Sequence, residues 1–202
     1  MKHIHETIQL PDGTKAVMRT PDPDKDTEAL AAFLSGLAAE QRNYLRCDVS
    51  RPETVHNRLA QLDGVNHFRL VIEVDGRIVA DGTLDREPFF WARHVAELRC
   101  VIPEDWLGRG VGPRLVHELV QRGHGRADIE ILFTEVIPAQ TPLIGMFMEA
   151  GFVYEATRRR FAKDAQGNYH DVIIMSNDLE RIWRQLEEQL LDSDTGNFSG
   201  QY

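Results

Sequence analysis

Three glycines alternate at positions 108, 110 and 112, in the run Trp106-Leu107-Gly108-Arg109-Gly110-Val111-Gly112. Before them Glu97-Leu98-Arg99-Cys100-Val101-Ile102 reads as a strand, and after them Val111, Leu115, Leu119 and Val120 recur at helical spacing. Glycine lets the backbone approach a ligand closely. The free N–H groups of a helix's first turn, with the positive end of its dipole, attract an anion, of which a phosphate is the natural example. A glycine turn that only reverses the chain fits the same residues. The spacing is not a P-loop, which needs Gly-Lys-Ser/Thr. Nor is it the dinucleotide fingerprint, because counting from Gly110 the third glycine position falls on Leu115.

Strand alternation puts Leu98, Cys100 and Ile102 on one face and Glu97, Arg99 and Val101 on the other. A carboxylate at Glu97 can take the proton from an attacking amine, directly or through water; an ion pair with Arg99 on a solvated face fits equally. Cys100 shares the apolar face and no Gly-x-Ser-x-Gly elbow is present, which disfavours a covalent nucleophile. The eight histidines show no ligand spacing with Cys or carboxylates, so no metal is expected. Arg158-Arg159-Arg160 reads as a solvated charge run that could also contact an acidic group.

The elements that must position these residues follow from periodicity. Ile4 to Leu10 and Lys15 to Arg19 predict a hairpin turning at Asp12-Gly13. A helix through Leu30, Phe33, Leu34 and Leu37 follows, and Ser50-Arg51-Pro52-Glu53 starts a second through Val55 and Leu59. Phe68 to Val74, Arg77 to Leu84 and His94 to Ile102 predict a three-strand meander, its first turn at Asp75-Gly76. After the glycine loop and its helix come a buried strand, Ile129 to Ile137, and a helix from Thr141-Pro142 ended by Gly151. Strands over 152–162 and 169–175 turn through Asp164 to Asn168. Asn177 and Glu180 are expected to cap a last helix carrying Ile182, Leu186 and Leu190. The class is α+β with one mixed sheet. Residues 1–191 form a single domain and 192–202 a polar tail expected to be disordered.

Composition agrees. Of 202 residues, 42% are hydrophobic and 27% charged, which suits a soluble core and no membrane protein. Two cysteines, Cys47 and Cys100, make no disulfide framework, and Met1 to Glu6 lacks a signal-like start, so a reducing cytoplasm is expected. With 23 basic against 32 acidic side chains the formal charge is −9, which disfavours nucleic acid. It favours a cationic partner drawn by Glu97, Glu135, Asp85 and Glu87. A homodimer is left open.

With its flanks, the glycine loop resembles the acyl-CoA-binding motif of the GNAT superfamily of N-acetyltransferases. Within it the chain looks most like protein-lysine acetyltransferase-type domains, in which an Ala-Glu pair, here Ala96-Glu97, precedes the loop at this spacing. The resemblance runs from the Asp12-Gly13 hairpin to Asp178-Leu179. It implies an enzyme moving an acetyl group from acetyl-CoA to a primary amine, a protein lysine or a small cationic amine. CoA would lie where the strands carrying Val101 and Glu135 part, its pyrophosphate on the amides from Gly108 to Arg114. The implied cofactor-binding set is Cys100, Val101, Leu107, Gly108, Arg109, Gly110, Val111, Gly112, Arg114 and Gln140. Glu97 is implied as general base, while Glu135 occupies the base position of other branches. Leu107 departs from the usual Gln or Arg, Pro113 offers no N–H, Gln140 replaces Asn, and Phe147 replaces the Tyr that often protonates the thiolate. These departures motivate the alternative of a catalytically weak acyl-CoA-binding or regulatory module on the same fold.

Overall fold

The computed structural model describes residues 4–43, 45, 51–126 and 128–179. Its elements follow in chain order: β1 (His5–Gln9), β2 (Lys15–Arg19), α1 (Pro23–Ser35), α2 (Ala39–Arg42), α3 (Pro52–Ala60), β3 (His67–Val74) and β4 (Arg77–Arg86). Then come β5 (Val95–Val101), α4 (Val111–His124), β6 (Ile131–Val136), α5 (Thr141–Glu149), β7 (Val153–Lys163) and β8 (Tyr169–Asp178). The described strands form one sheet in the order β1-β2-β3-β4-β5-β6-β8-β7. Only β5 and β6 run parallel; the other neighbours are antiparallel, giving the mixed α+β architecture expected.

Local chemistry sets the boundaries. Asp12 closes the first turn by accepting the Thr14 N–H at 2.9 Å. Asp22 caps α1 by accepting the Asp24 N–H, with Pro23 in the first turn where its missing N–H costs nothing. The N-cap of α3 is Arg51, without a side-chain capping bond, while Ser50 lies outside the described residues. The short helix α2 was not legible from periodicity, because a single turn carries no repeat. One expectation is corrected at Asn177. Instead of capping a helix it lies in β8 opposite Leu132, with its side-chain amide donating to the Ala150 carbonyl at 3.0 Å. β6 supplies ladder partners as far as Asp178, so the strand outcompetes the cap. The helix expected from Glu180 and the tail from Asp192 lie outside the described residues.

Two apolar layers cover the sheet. On one face Leu70, Ile72, Leu98 and Leu132 pack with Leu115 and Leu119 of α4. On the other, Leu30 and Leu34 of α1 and Val55 and Leu59 of α3 pack with Val71, with Val101 at the margin. The alternation read from residues 97–102 is therefore realised: Leu98 and Ile102 face α4, Val101 faces α1 and α3.

The second face is not apolar throughout. Pairing of β3, β4 and β5 sets His67 opposite Asp85, Arg69 opposite Thr83, Thr83 opposite Arg99, and Asp85 opposite Glu97. Within this polar layer Arg69 holds Asp81 bidentately at 2.6 and 2.8 Å, both side chains buried. Asp81→Asn keeps the shape but leaves the guanidinium without its carboxylate. It is expected to lower unfolding free energy by about 3 kcal/mol in urea denaturation; a loss under about 1 kcal/mol would contradict the argument.

Candidate active site

The parallel pairing of β5 with β6 runs through Val95–Ile131, Ala96–Leu132 and Glu97–Phe133 and then stops. Beyond it β5 stays with β4 to Val101, and β6 stays with β8 to Val136, so the two strands part between their outer neighbours. A cavity of about 1270 Å³ occupies the opening, with Glu97, Arg99, Val101, Glu135, Gln140 and Phe147 among its walls. The β5 edge that faces it carries backbone groups that β6 no longer pairs, a ready edge for an added extended chain. Gln41 of α2 reaches the end of this strand, its side-chain amide donating to the Ile102 carbonyl at 2.9 Å.

Helices α4 and α5 follow the carboxyl ends of the parted strands, and Gln140 at the start of α5 lines the opening. Crevices outside the carboxyl ends of diverging strands are where open sheets bind ligands. A 3-10 turn, Glu104–Trp106, leads into the glycine loop, and Arg109 stacks its guanidinium over Trp106 at 4.7 Å. Gly108 (φ 73°) and Gly110 (φ 82°) adopt the left-handed conformation. A Cβ on Gly110 would meet Pro11 Cδ at 2.5 Å, whereas a Cβ on Gly108 would enter open space. Among the described residues no backbone carbonyl takes the N–H groups of Gly108, Arg109, Gly110, Val111 or Gly112. Five amides at the N-terminus of a 14-residue helix make a cradle suited to a pyrophosphate.

The cradle is shorter than the sequence implied. Pro113 has no N–H, the Arg114 N–H is taken by the Gly110 carbonyl at 3.2 Å, and the Arg114 guanidinium lies 3.2 Å from both oxygens of Glu6. Arg114 is thus directed toward β1 and its amide leaves the set. Leu107 donates its N–H to Glu104 and packs on the core, so its side chain brings no polar contact. Gln140 caps the turn before α5: its side-chain oxygen accepts the Ile137 N–H at 3.0 Å. Cys100 lines the opening and also packs against the core on the α4 side. Burial, with the Asp81 carboxylate adding to it, pushes its thiol up to about 12, which leaves it protonated and unreactive at neutral pH.

Glu97 is 6% exposed and lies at the last β5–β6 pair, where the strands begin to part. Arg99 Nε stands 3.7 Å from its Oε2 while Arg99 Nη2 donates to Asp85, which also bonds His67 Nδ1 at 3.0 Å. Burial alone would raise the Asp85 carboxyl. The Arg99 charge and the hydrogen bonds from His67 and Arg99 outweigh it and hold the group below its ordinary value, so Asp85 stays anionic through neutral pH. Glu135 accepts from Arg158 Nη1 at 2.7 Å. Of the carboxylates expected to draw a cation, Asp85, Glu97 and Glu135 are compensated locally by arginines, so the opening is less acidic than the formal charge of the chain suggests. Phe147 is buried edge-on against Phe152 at 5.2 Å, with no hydroxyl at that wall of the cavity.

The sequence reading missed His67, Arg69, Asp81 and Thr83, which share the face of Glu97. Their signal was present as polar residues two apart in successive strands of the meander, His67-x-Arg69, Asp81-x-Thr83-x-Asp85 and Glu97-x-Arg99.

Comparison with known proteins agrees with this arrangement. The family model described as the acetyltransferase (GNAT) family matches residues 35–152, more than half of the chain. The chain is similar to the L-amino acid N-acetyltransferase AaaT of Escherichia coli (strain K12), at 27% identity over 119 residues, 59% of this chain and 72% of the relative. Among solved structures, the GNAT domain of S. lividans PAT is 24% identical with a TM-score of 0.69, covering 86% of this chain and 96% of that one. The yncA structure from Salmonella typhimurium, determined with acetyl-CoA, is 20% identical with a TM-score of 0.64 over 82% of this chain and 95% of that one. At these identities the solved structures establish the fold.

Proposed function

This chain belongs to the acetyltransferase (GNAT) family, and we propose that it moves an acetyl group from acetyl-CoA to a primary amine by direct transfer within a ternary complex. The observation that carries the reading is the parting of β5 and β6 at Glu97. An amide cradle lies beyond one strand end and a buried carboxylate at the point of divergence. The residues fit the cofactor. Gly108 to Gly112 would hold the pyrophosphate with Arg109 beside it, the unpaired β5 edge near Val101 would hold the pantetheine arm, and Gln140 would border it.

Bound acetyl-CoA supplies a thioester carbonyl open to attack and a thiolate that leaves readily. Glu97 keeps the acceptor nitrogen neutral by accepting its proton, directly or through water, as nitrogen bonds to the carbonyl carbon and the C–S bond breaks. Arg99, fixed by Asp85 and His67, orients that carboxylate. With Phe147 where a phenol would serve, water returns a proton to the sulfur. Burial of the Cys100 thiol and its high pKa remove it as a covalent relay.

Protein lysine, a small cationic amine and, from the name of the Escherichia coli relative, an amino acid are the acceptor classes in play. Phe147 favours one other reading, a binding module that holds acyl-CoA with little turnover. Thiol release from acetyl-CoA, followed with a lysine-bearing peptide, a polyamine and a set of amino acids, separates the two. An enzyme releases thiol saturably with at least one amine. A binder is stabilised thermally by CoA yet releases none.

A further inference from the structure

A second cavity, of about 530 Å³, lies between α3 and the polar layer of β3, β4 and β5. Six residues line both it and the larger opening: Arg58, Arg69, Thr83, Glu87, Glu97 and Arg99. This shared wall is where an acceptor entering from the α3 side would meet Glu97. Its charges divide sharply. Arg69 is engaged by Asp81, and Arg99 by Asp85 and Glu97. Arg86, on the rim of the second cavity, is engaged by Asp128 at 2.8 Å. The guanidinium of Arg58, half-buried on α3, makes no hydrogen bond or ion pair with any described residue, and neither does the side-chain carboxylate of half-buried Glu87. The two do not pair with each other. Among the described residues, one cation and one anion thus stand uncompensated on a wall where Arg69 and Arg99 each have a carboxylate partner.

We propose that Arg58 binds a carboxylate of the acceptor, so that the acceptor is a zwitterionic amine of the amino-acid class, its ammonium drawn toward Glu87 and Glu97. This rests on the acetyl-transfer reading of the site. A guanidinium meets a carboxylate with two parallel N–H···O bonds, and a half-buried one gains more from such a partner than an exposed one. An unmatched charge withdrawn from water is costly, and a zwitterion would satisfy both open groups together. A lysine side chain within a protein, which has no carboxylate near its amine, would leave Arg58 unmatched.

The test compares amino acids with their C-terminal amides and with the corresponding decarboxylated amines, as acetyl acceptors for the wild type, Arg58→Gln and Arg58→Lys. In the wild type kcat/KM for the acid should exceed that for its amide by about 10- to 100-fold, the worth of a charge-assisted hydrogen bond. That ratio should collapse toward one in Arg58→Gln, chiefly through KM for the acid, and be partly restored in Arg58→Lys. CoA-induced thermal stabilisation of both variants reports that they fold. Equal use of acids and amides by the wild type, or a ratio unchanged by Arg58→Gln, would overturn the assignment. If no amine releases thiol, the acetyl-transfer reading fails instead. Calorimetry of amino acid against CoA-saturated protein then judges Arg58 alone: binding lost in Arg58→Gln supports the site, and equal or absent binding in both overturns it.

Discussion

Glu97→Gln is expected to cut turnover by about 100-fold or more while leaving the affinity for CoA nearly unchanged. The substitution keeps the side chain's volume in a buried position and removes only its capacity to take a proton. The amide cradle lies beyond Ile102, at the far end of the parted strand, so phosphate binding should not register the change. A merely structural role for Glu97, anchoring Arg99, predicts a different result: Glu97→Gln would lose thermal stability and activity together, and Glu97→Asp would not recover turnover. Glu135 is the competing base. Its carboxylate is already engaged by Arg158 Nη1 at 2.7 Å. Retained activity in Glu97→Gln with loss in Glu135→Gln would move the base to β6.

The second large effect is expected at the glycine loop. Gly110→Asp would be the obvious way to place a negative charge beside the phosphates, but the residue sits at φ 82° with Pro11 against it, so the fold would suffer as well. Gly108→Asp separates the two. Open space surrounds its Cβ, and Asp tolerates the left-handed conformation at about 1 kcal/mol. A ligand at 100 times its Kd stabilises the folded state by about 2.7 kcal/mol, worth roughly 5–10 °C in a chain of this size. That shift should be present in the wild type and vanish in Gly108→Asp, with the melting temperature of the unliganded variant changed by only a few degrees. A full CoA shift in folded Gly108→Asp would remove the phosphates from this loop.

What was legible in the sequence divides along physical lines. Periodicity is a local signal, so β1 to β6, α1, α4 and α5 could be placed from apolar residues two or three to four apart, and their ends from Pro, Gly and Asp. The glycine loop was legible as a candidate anion site because free amides, not side chains, would do the binding there. Pairing is not local. That β5 and β6 separate after Glu97 depends on β4 and β8 holding them on either side, which no window of residues 95–136 contains. For the same reason Arg114 was placed among the phosphate contacts although Glu6, more than 100 residues earlier, claims it. Asn177 was assigned to a helix cap by its type, while its β-ladder partner, Leu132, lies in β6. The polar layer around Glu97 is the instructive miss, because each strand showed its polar pair and only the meander, already recognised, was needed to superpose them.

The central claim is that acetyl passes straight from thioester to amine without resting on the protein. Its most direct test mixes the protein, in excess, with acetyl-CoA before any amine is present, and follows released thiol together with the intact mass of the chain. The account predicts no thiol and an unmodified mass until an acceptor amine is added, then thiol and N-acetylated amine in equal amounts with the chain still unmodified. Thiol released before the amine, with an acetyl group appearing on the chain, would contradict it, as would the absence of both products after an amine that binds has been added.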